Sequence, residues 1–321
     1  MRRLLLLWCV ALLSLVCAGV ALAGNGGLAP PSPASPQAHD IRSIYWLILG
    51  VSALIFVLVE VTLLVFVVRY RSRGRAREVE GPQIRGHTNL ELAWTVGPVL
   101  ILAVIVAFVL YKAAGIRNAP AGTTPQTIKI EAHQFYWLFT YPNGARSVDT
   151  LRVPFDRKIE LDISSADVAH SWWVPSLGGK MDAIPGRVNH MSFRALKLGA
   201  FPGRCAEFCG LQHTHMLASV QVLPPEQYDA WVLERAHLPQ ALARETFIGV
   251  CAKCHGLAGQ GDIGPPIATS PLLADPSALA LLLRTGRGKM PAVGKTWDPE
   301  QLAATIAYLN RHFHTGGTGG G

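Results

Sequence analysis

The chain has 321 residues and a formal net charge of +8; half of its side chains are hydrophobic and only 16% are charged. That length leaves room for two or three domains, and the apolar excess points to a membrane protein. The positive charge is not a nucleic-acid footprint. Arg2 and Arg3 sit in the N-terminal segment, six arginines against Glu78 and Glu80 lie between positions 69 and 85, and a net of about +2 covers everything else.

Met1 to Ala23 carries those two arginines, an apolar run and Ala21-Leu22-Ala23 before Gly24, the pattern of a secretory signal peptide with its cleavage site. Residues 24–43 are rich in Gly, Ala, Ser and Pro and read as a flexible lead-in. Ile44–Val68 and Leu92–Leu110 are each long and apolar enough to cross a bilayer, so 44–112 reads as a two-span transmembrane hairpin. The arginines between the spans place that loop in the cytoplasm and both ends of the hairpin outside. Glu60 interrupts the first span; a carboxylate there is costly in lipid and is expected to face another subunit. Glu91 opens the second span, where Thr88 or Asn89 is a candidate cap and a carboxylate suits the helix dipole.

From 113 to 223 the pattern changes. After a polar linker with Pro120 and Pro125, short β-rich runs (127–132, 135–141, 159–164, 188–195, 217–222) alternate with turns, and Pro142-Asn143-Gly144 is a strong turn signal. Runs of this length and spacing predict an all-β sandwich or barrel. Its chemistry is concentrated in Cys205-Ala206-Glu207-Phe208-Cys209-Gly210-Leu211-Gln212-His213-Thr214-His215-Met216, with His170 upstream in Asp167-Val168-Ala169-His170-Ser171-Trp172. Thiol, imidazole and thioether together form a ligand set that selects copper over zinc. One thiolate with two imidazoles and a weak Met suffices for a single copper. Two thiolates can bridge a pair, with His170, His213, Met216 and a backbone carbonyl as further ligands. A disulfide between Cys205 and Cys209, or a structural zinc site, is the competing reading. His215 reads as an ordinary side chain beside the site.

Residues 224–240 read as a linker with a helix from about Glu226 to Ala236, and 241–315 as a small separate domain. Its key is Cys251-Ala252-Lys253-Cys254-His255, the C-x-x-C-H of covalent c-type haem attachment. A thioredoxin-like motif lacks the adjoining His. Met290 is the one methionine of this domain and the candidate for the opposite axial position, a ligand pair that marks electron transfer. Cys9 and Cys17 lie in the signal, so every other cysteine falls in one of the two chemically specific pairs. The tail 316–321 reads as disordered.

The copper motif resembles the dinuclear CuA site of cytochrome c oxidase subunit II. The match extends along His170-Ser171-Trp172, Val174-Pro175-Ser176-Leu177-Gly178 and Asp182-Ala183-Ile184-Pro185-Gly186-Arg187. The resemblance implies that Cys205 and Cys209 bridge two coppers, that His170 and Met216 complete one, and that His213 and the main-chain carbonyl of Glu207 complete the other. It also implies that the Glu207 carboxylate reaches a magnesium shared with the catalytic subunit. Glu91 matches a glutamate at the cytoplasmic mouth of a proton channel. Phe135 stands where many relatives have the tryptophan through which cytochrome c delivers its electron, so the resemblance does not carry that entry residue over to this chain. Tyr136 and Trp137 read as packing residues.

The small domain resembles class I cytochrome c through Phe247, Gly264-Pro265-Pro266 and a helix over 299–311 carrying Tyr308. The whole looks like a caa3-type subunit II. That is a multidomain membrane protein made of a two-helix transmembrane hairpin, a cupredoxin-like Greek-key domain and a small all-α cytochrome c domain. The resemblance implies a bacterial inner (plasma) membrane with both redox domains on the periplasmic side. Subunits I and III, a cytochrome c or other periplasmic donor, and the lipid bilayer are the implied partners. Oxygen chemistry belongs to subunit I, and no catalytic residue is expected here.

Three rival readings make different demands. A quinol oxidase subunit II leaves the ligands at 170, 205, 209, 213 and 216 without a purpose. A nitrous oxide reductase needs a second, histidine-rich copper cluster and no two-span hairpin. A tethered copper and haem carrier for assembly predicts labile, exchangeable copper.

Overall fold

The computed structural model describes residues 29–71, 83–117, 125–236 and 239–314; the expected signal peptide, most of the arginine-rich loop and the expected tail lie outside them. The described residues fall into two compact units, one built on 40–114 and one on 31–39 with 115 onward.

The first unit is a pair of long helices, α1 (Pro36–Arg69) and α2 (Thr88–Arg117). At ~1.5 Å per residue each exceeds the ~30 Å of a bilayer's hydrocarbon core. Their apolar side chains, Leu54, Phe56, Leu58, Leu100 and Leu102 among them, are exposed on all faces, as for helices whose solvent is lipid. Lys112 Nζ lies 2.7 Å from Asp40 Oδ1 and ties the two helices together. The start of α2 differs from expectation. His87 is the cap: its Nδ1 accepts from the Leu90 N–H, and Glu91 Oε1 accepts from the His87 N–H, both at 3.2 Å. Thr88 and Asn89 already lie within the helix. The reciprocal pairing satisfies two N-terminal donors, so Glu91 serves as a helix-end residue whatever else it does.

The second unit begins earlier than expected, because the 24–43 lead-in is ordered structure from Ala34. Ser35 Oγ accepts from the Ala38 N–H at 3.1 Å, capping α1, and donates to the Leu177 carbonyl at 2.6 Å. Ala34 exchanges backbone hydrogen bonds with Ser176 and Leu196 at 2.7 Å each.

Ten strands follow: β1 (Gln126–His133), β2 (Tyr136–Thr140), β3 (Arg146–Val148), β4 (Thr150–Pro154), β5 (Lys158–Ser165), β6 (His170–Trp173), β7 (Lys180–Ala183), β8 (Asn189–Arg194), β9 (Gly199–Cys205) and β10 (Leu217–Leu223). They form two five-stranded sheets ordered β3-β2-β1-β5-β8 and β4-β10-β9-β6-β7. The β1–β5 and β4–β10 pairs are parallel and the others antiparallel. In β5 alternate residues are buried, and Ile159, Leu161 and Ile163 meet Ile128, Ile130, Phe139, Trp137, Leu151, Trp172 and Val220 in the sandwich core. The patterned strands β1, β2, β5, β8 and β10 were legible in sequence. Strands β3, β4, β6, β7 and β9 were not: β3, β6 and β7 are only three or four residues long, and β9 is broken in pattern by Gly199, Pro202 and Gly203.

The 224–240 linker contains α3 (Pro225–Arg235), and it is seated on the sandwich. Tyr228 is buried, Trp231 meets Tyr141 edge-on at 5.1 Å, and the Arg152 guanidinium lies 4.8 Å from the Trp231 ring centre. The helical lobe then runs α4 (Pro239–Thr246), a wider turn over Phe247–Cys251, α5 (Ala252–His255), α6 (Pro276–Thr285) and α7 (Pro299–Leu309). Asp275 and Asp298 start α6 and α7 by accepting from the Ser277, Ala278 and Gln301 N–H groups at 2.8–3.0 Å. Phe247, Leu273, Leu279, Leu283, Trp297, Leu302 and Ile306 form its core. Tyr136 and Val148 of the sandwich belong to the same cluster, so the two lobes share a buried seam.

Candidate metal and haem sites

The copper candidates converge at one end of the β4-β10-β9-β6-β7 sheet. His170 opens β6, Cys205 closes β9 opposite Trp172, and the loop from Glu207 through a single tight turn (His213–His215) delivers the rest before β10. Cys205 Sγ and Cys209 Sγ are 3.9 Å apart. Around them lie His170 Nδ1 at 3.8 Å and the Glu207 carbonyl at 3.2 Å from Cys205, with His213 Nδ1 at 3.5 Å and Met216 Sδ at 3.7 Å from Cys209. Every donor atom named from the sequence is therefore in one cluster. The two sulfurs are too far apart for a disulfide, and all four described cysteines are thiols. His215 is exposed and pairs with Thr214.

The electrostatics suit cations. Burial works against both thiolates. For Cys205 the His170 imidazole and the Glu207 and Ser171 backbones outweigh it, and the pKa falls; Cys209 rises, with burial foremost and the Cys205 charge second. One thiol of the pair ionises readily and the second resists, so a two-thiolate site needs positive charge between the sulfurs. The donor set fits copper, with soft sulfur and imidazole buried together and the Met216 side chain wholly enclosed.

Asp167 is the residue that sequence reasoning passed over, although it stands three positions before His170 in the quoted motif. Its Oδ1 lies 2.8 Å from His170 Nε2, leaving Nδ1 facing Cys205, and it also accepts from the Gln134 and Val168 N–H groups at 2.6 Å. Burial raises its carboxyl, but the His170 and backbone hydrogen bonds outweigh that and hold it below the usual carboxylate range. Such a partner fixes the imidazole's tautomer and orientation. Trp137, fully buried, packs edge-on against Trp172 at 5.1 Å and against His170 at 6.1 Å. Glu207 presents its carboxylate outward, 3.9 Å from Lys180 Nζ.

Three of the four haem candidates, Cys251, Cys254 and His255, occupy one turn of the helical lobe. Cys251 is buried and Cys254 partly so. His255 Nδ1 lies 2.6 Å from the Pro265 carbonyl, an arrangement that puts the proton on Nδ1 and leaves the Nε2 lone pair for a metal. A β-carbon at Gly264 would come within 2.7 Å of His255 Cε1, so only glycine lets the Gly264-Pro265-Pro266 loop close on the imidazole. Met290 sits in a reverse turn closed by paired hydrogen bonds with Arg287 and packs on the lobe's core. Thiol pair, oriented imidazole and thioether in one lobe are the donor set of a covalent haem. Glu91 belongs to the helix pair.

The family pattern described as cytochrome c oxidase subunit II, transmembrane domain, matches residues 23–111, and that of subunit II, periplasmic domain, matches 145–223. A pattern described as cytochrome c oxidase, cbb3-type, subunit III matches 239–309. Cytochrome c oxidase subunit 2 of Alkalihalophilus pseudofirmus is 33% identical over 260 residues, covering 77% of this chain and 76% of that protein. Quinol oxidase subunit 2 of Bacillus cereus is 31% identical over 211 residues, covering 64% of this chain and 72% of that one. Among solved structures, the periplasmic domain of subunit II of cytochrome oxidase of Bradyrhizobium japonicum is 30% identical with a TM-score of 0.35, covering 37% of this chain and 96% of that one.

Proposed function

The chain belongs to the cytochrome c oxidase subunit II family, and on that premise we propose that it is the electron-entry subunit of a haem–copper oxidase. Electrons arrive at the small lobe, pass to the sandwich and leave for subunit I, where oxygen is reduced and protons are pumped. The observation that carries this reading is the convergence of two thiols, two imidazoles, a thioether and a carbonyl around the 3.9 Å sulfur pair. When bound, a copper pair and a haem c supply one-electron redox chemistry, and the chain's own residues hold and shield them. Cys205, Cys209, His170, His213, Met216 and the Glu207 carbonyl would hold the copper pair. Cys251 and Cys254 would hold the haem covalently, with His255 and Met290 as candidate ligands to its iron.

Likeness alone does not separate a cytochrome c oxidase from a quinol oxidase, since relatives of both names match. The thiol pair favours the first, because a quinol-fed subunit has no use for it. Metal analysis of the purified full chain tests the reading: two coppers and one haem per chain are expected, and one zinc or one copper overturns it. A magnesium at the Glu207 carboxylate is proposed only for the assembled complex, and should be lost when subunit I is removed.

The proposed setting is a bacterial inner membrane, with α1 and α2 spanning it, both redox lobes outside, and subunits I and III alongside. The arginines of positions 69–85 support this orientation. A thiol introduced as Gln83→Cys should resist an impermeant reagent in intact cells while one introduced as Lys197→Cys reacts; the reverse pattern refutes the orientation. We also propose a proton-entry role for Glu91 beyond its capping hydrogen bond. Glu91→Gln keeps an acceptor for the His87 N–H, so it should slow oxidase turnover with the helix intact. Unchanged turnover would reduce Glu91 to a cap.

A further inference from the structure

The haem-attachment turn and the copper loop are linked by a short chain of polar contacts. Lys253, between the two thiols of the C-x-x-C-H turn, reaches across the seam. Its Nζ lies 2.6 Å from Asp149 Oδ2 and donates to the Phe135 carbonyl at 2.9 Å. Both side chains of the ion pair are less than a fifth exposed. Asp149 sits between β3 and β4 with a left-handed φ of 57°, and its other oxygen accepts from the Trp137 N–H at 2.9 Å. One carboxylate thus serves the sandwich with one oxygen and the helical lobe with the other. On the far side of Phe135, Gln134 Nε2 donates to the carbonyl of Cys209 at 2.6 Å.

Two glycines make the approach possible. A β-carbon on Gly249 would lie 2.6 Å from Val148 Cγ1 and 2.9 Å from Asp149 Oδ2, and one on Gly210 would lie 2.9 Å from Gln134 Nε2 and 3.3 Å from the Phe135 ring. Around the clamp, Glu245 accepts from the Val148 N–H at 3.1 Å and pairs with Arg152 and Arg235, while Tyr136 bonds Trp297 Nε1 at 2.9 Å.

We propose that Lys253 is a positioning residue: clamped by Asp149, it sets the Cys251–His255 turn against Phe135, and Gln134 carries that register to the copper ligand Cys209. The inference rests on the electron-entry reading. With both groups bound, the turn would hold a ferrous haem as one-electron donor and the loop an oxidised copper pair as acceptor, so one electron would pass with no bond or proton moving. The protein therefore controls the rate through the separation and connection of the two sites. Removing one partner of a buried ion pair leaves the other charge uncompensated, so the pair favours a single register of the seam.

The test uses the full chain, carrying copper and haem, in detergent. Hydrogen exchange of the 136–148 and 247–255 segments is followed together with the rate of electron equilibration between haem and copper after flash reduction. Lys253→Met and Asp149→Asn (which retains an acceptor for Trp137) should each speed exchange by about tenfold, the loss of one charge-assisted hydrogen bond, and slow equilibration. The copper EPR and the haem potential should stay at parent values. Lys253→Arg should restore both rates, and Gly249→Ala should reproduce the loss by steric means alone. Parent-like exchange in Lys253→Met overturns the clamp, and faster exchange with an unchanged electron rate overturns the positioning role. If the chain holds no copper pair, the electron-entry reading fails while the exchange measurements still decide the clamp.

Discussion

Cys205→Ser and Cys209→Ser are each expected to abolish a two-copper EPR signal in the purified chain. The parent should show hyperfine splitting from two equivalent nuclei sharing one unpaired electron, because each sulfur lies between ligands from opposite sides of the site. His170 and the Glu207 carbonyl flank Cys205, and His213 and Met216 flank Cys209. A serine hydroxyl nearly matches the thiol in size but is a hard, weakly acidic donor, so the substitution removes the bridge without removing the packing. Both thiols are at most 4% exposed and belong to the same buried cluster as Trp137 and Trp172, where a serine side chain nearly fills the space each thiol leaves. The folded state should therefore persist, and circular dichroism should match the parent. Parent-like splitting in either variant would falsify a bridging role for that cysteine.

Met290→Leu is expected to have the second large effect, and it acts on the supply of electrons. Exchanging the thioether for an isobutyl group conserves volume in the turn that Met290 shares with Arg287, so the lobe should fold. Loss of the axial sulfur lowers the haem potential, because the thioether favours the ferrous state. Uptake of an electron from an external donor then runs uphill. A drop on the order of 100 mV is ~2.3 kcal/mol, or about fiftyfold in the equilibrium. Reduction of the copper pair by a soluble cytochrome should slow accordingly, with the copper EPR unchanged. If the copper is reduced as fast as in the parent, the haem lobe is not on the route. Docking sharpens this prediction: with Tyr136 and Val148 inside the helical lobe's core, the lobe is seated on the sandwich as well as tethered to it.

The composition and the two apolar runs were enough to read a hairpin of spanning helices, since length and hydropathy are one-dimensional quantities. The candidate ligands were equally legible, because thiol, imidazole and thioether chemistry depends on residue type and close spacing. Cys205 to Met216 spans a single loop, and Cys251 to His255 a single turn. Runs of β-forming residues between turn signals exposed β1, β2, β5, β8 and β10. They did not expose β6 or β9, although these carry His170 and Cys205, because a four-residue strand and one holding two glycines and a proline offer no such run. Which residue caps α2 was also beyond sequence reasoning. Thr88 and Asn89 are the better intrinsic caps, and the outcome turned on His87 and Glu91 meeting around the first turn.

The largest undetermined part was the seam between the lobes. Lys253 in a haem motif, Asp149 after a short strand and Glu245 in a polar helix are each unremarkable in sequence as solvated charges. Their roles depend on a long-range docking that brings positions about a hundred residues apart into contact. Local patterning encodes which face of an element is buried. Which partner covers that face, and which charge finds its counter-ion there, was decided only when the helical lobe closed over β2 and β3.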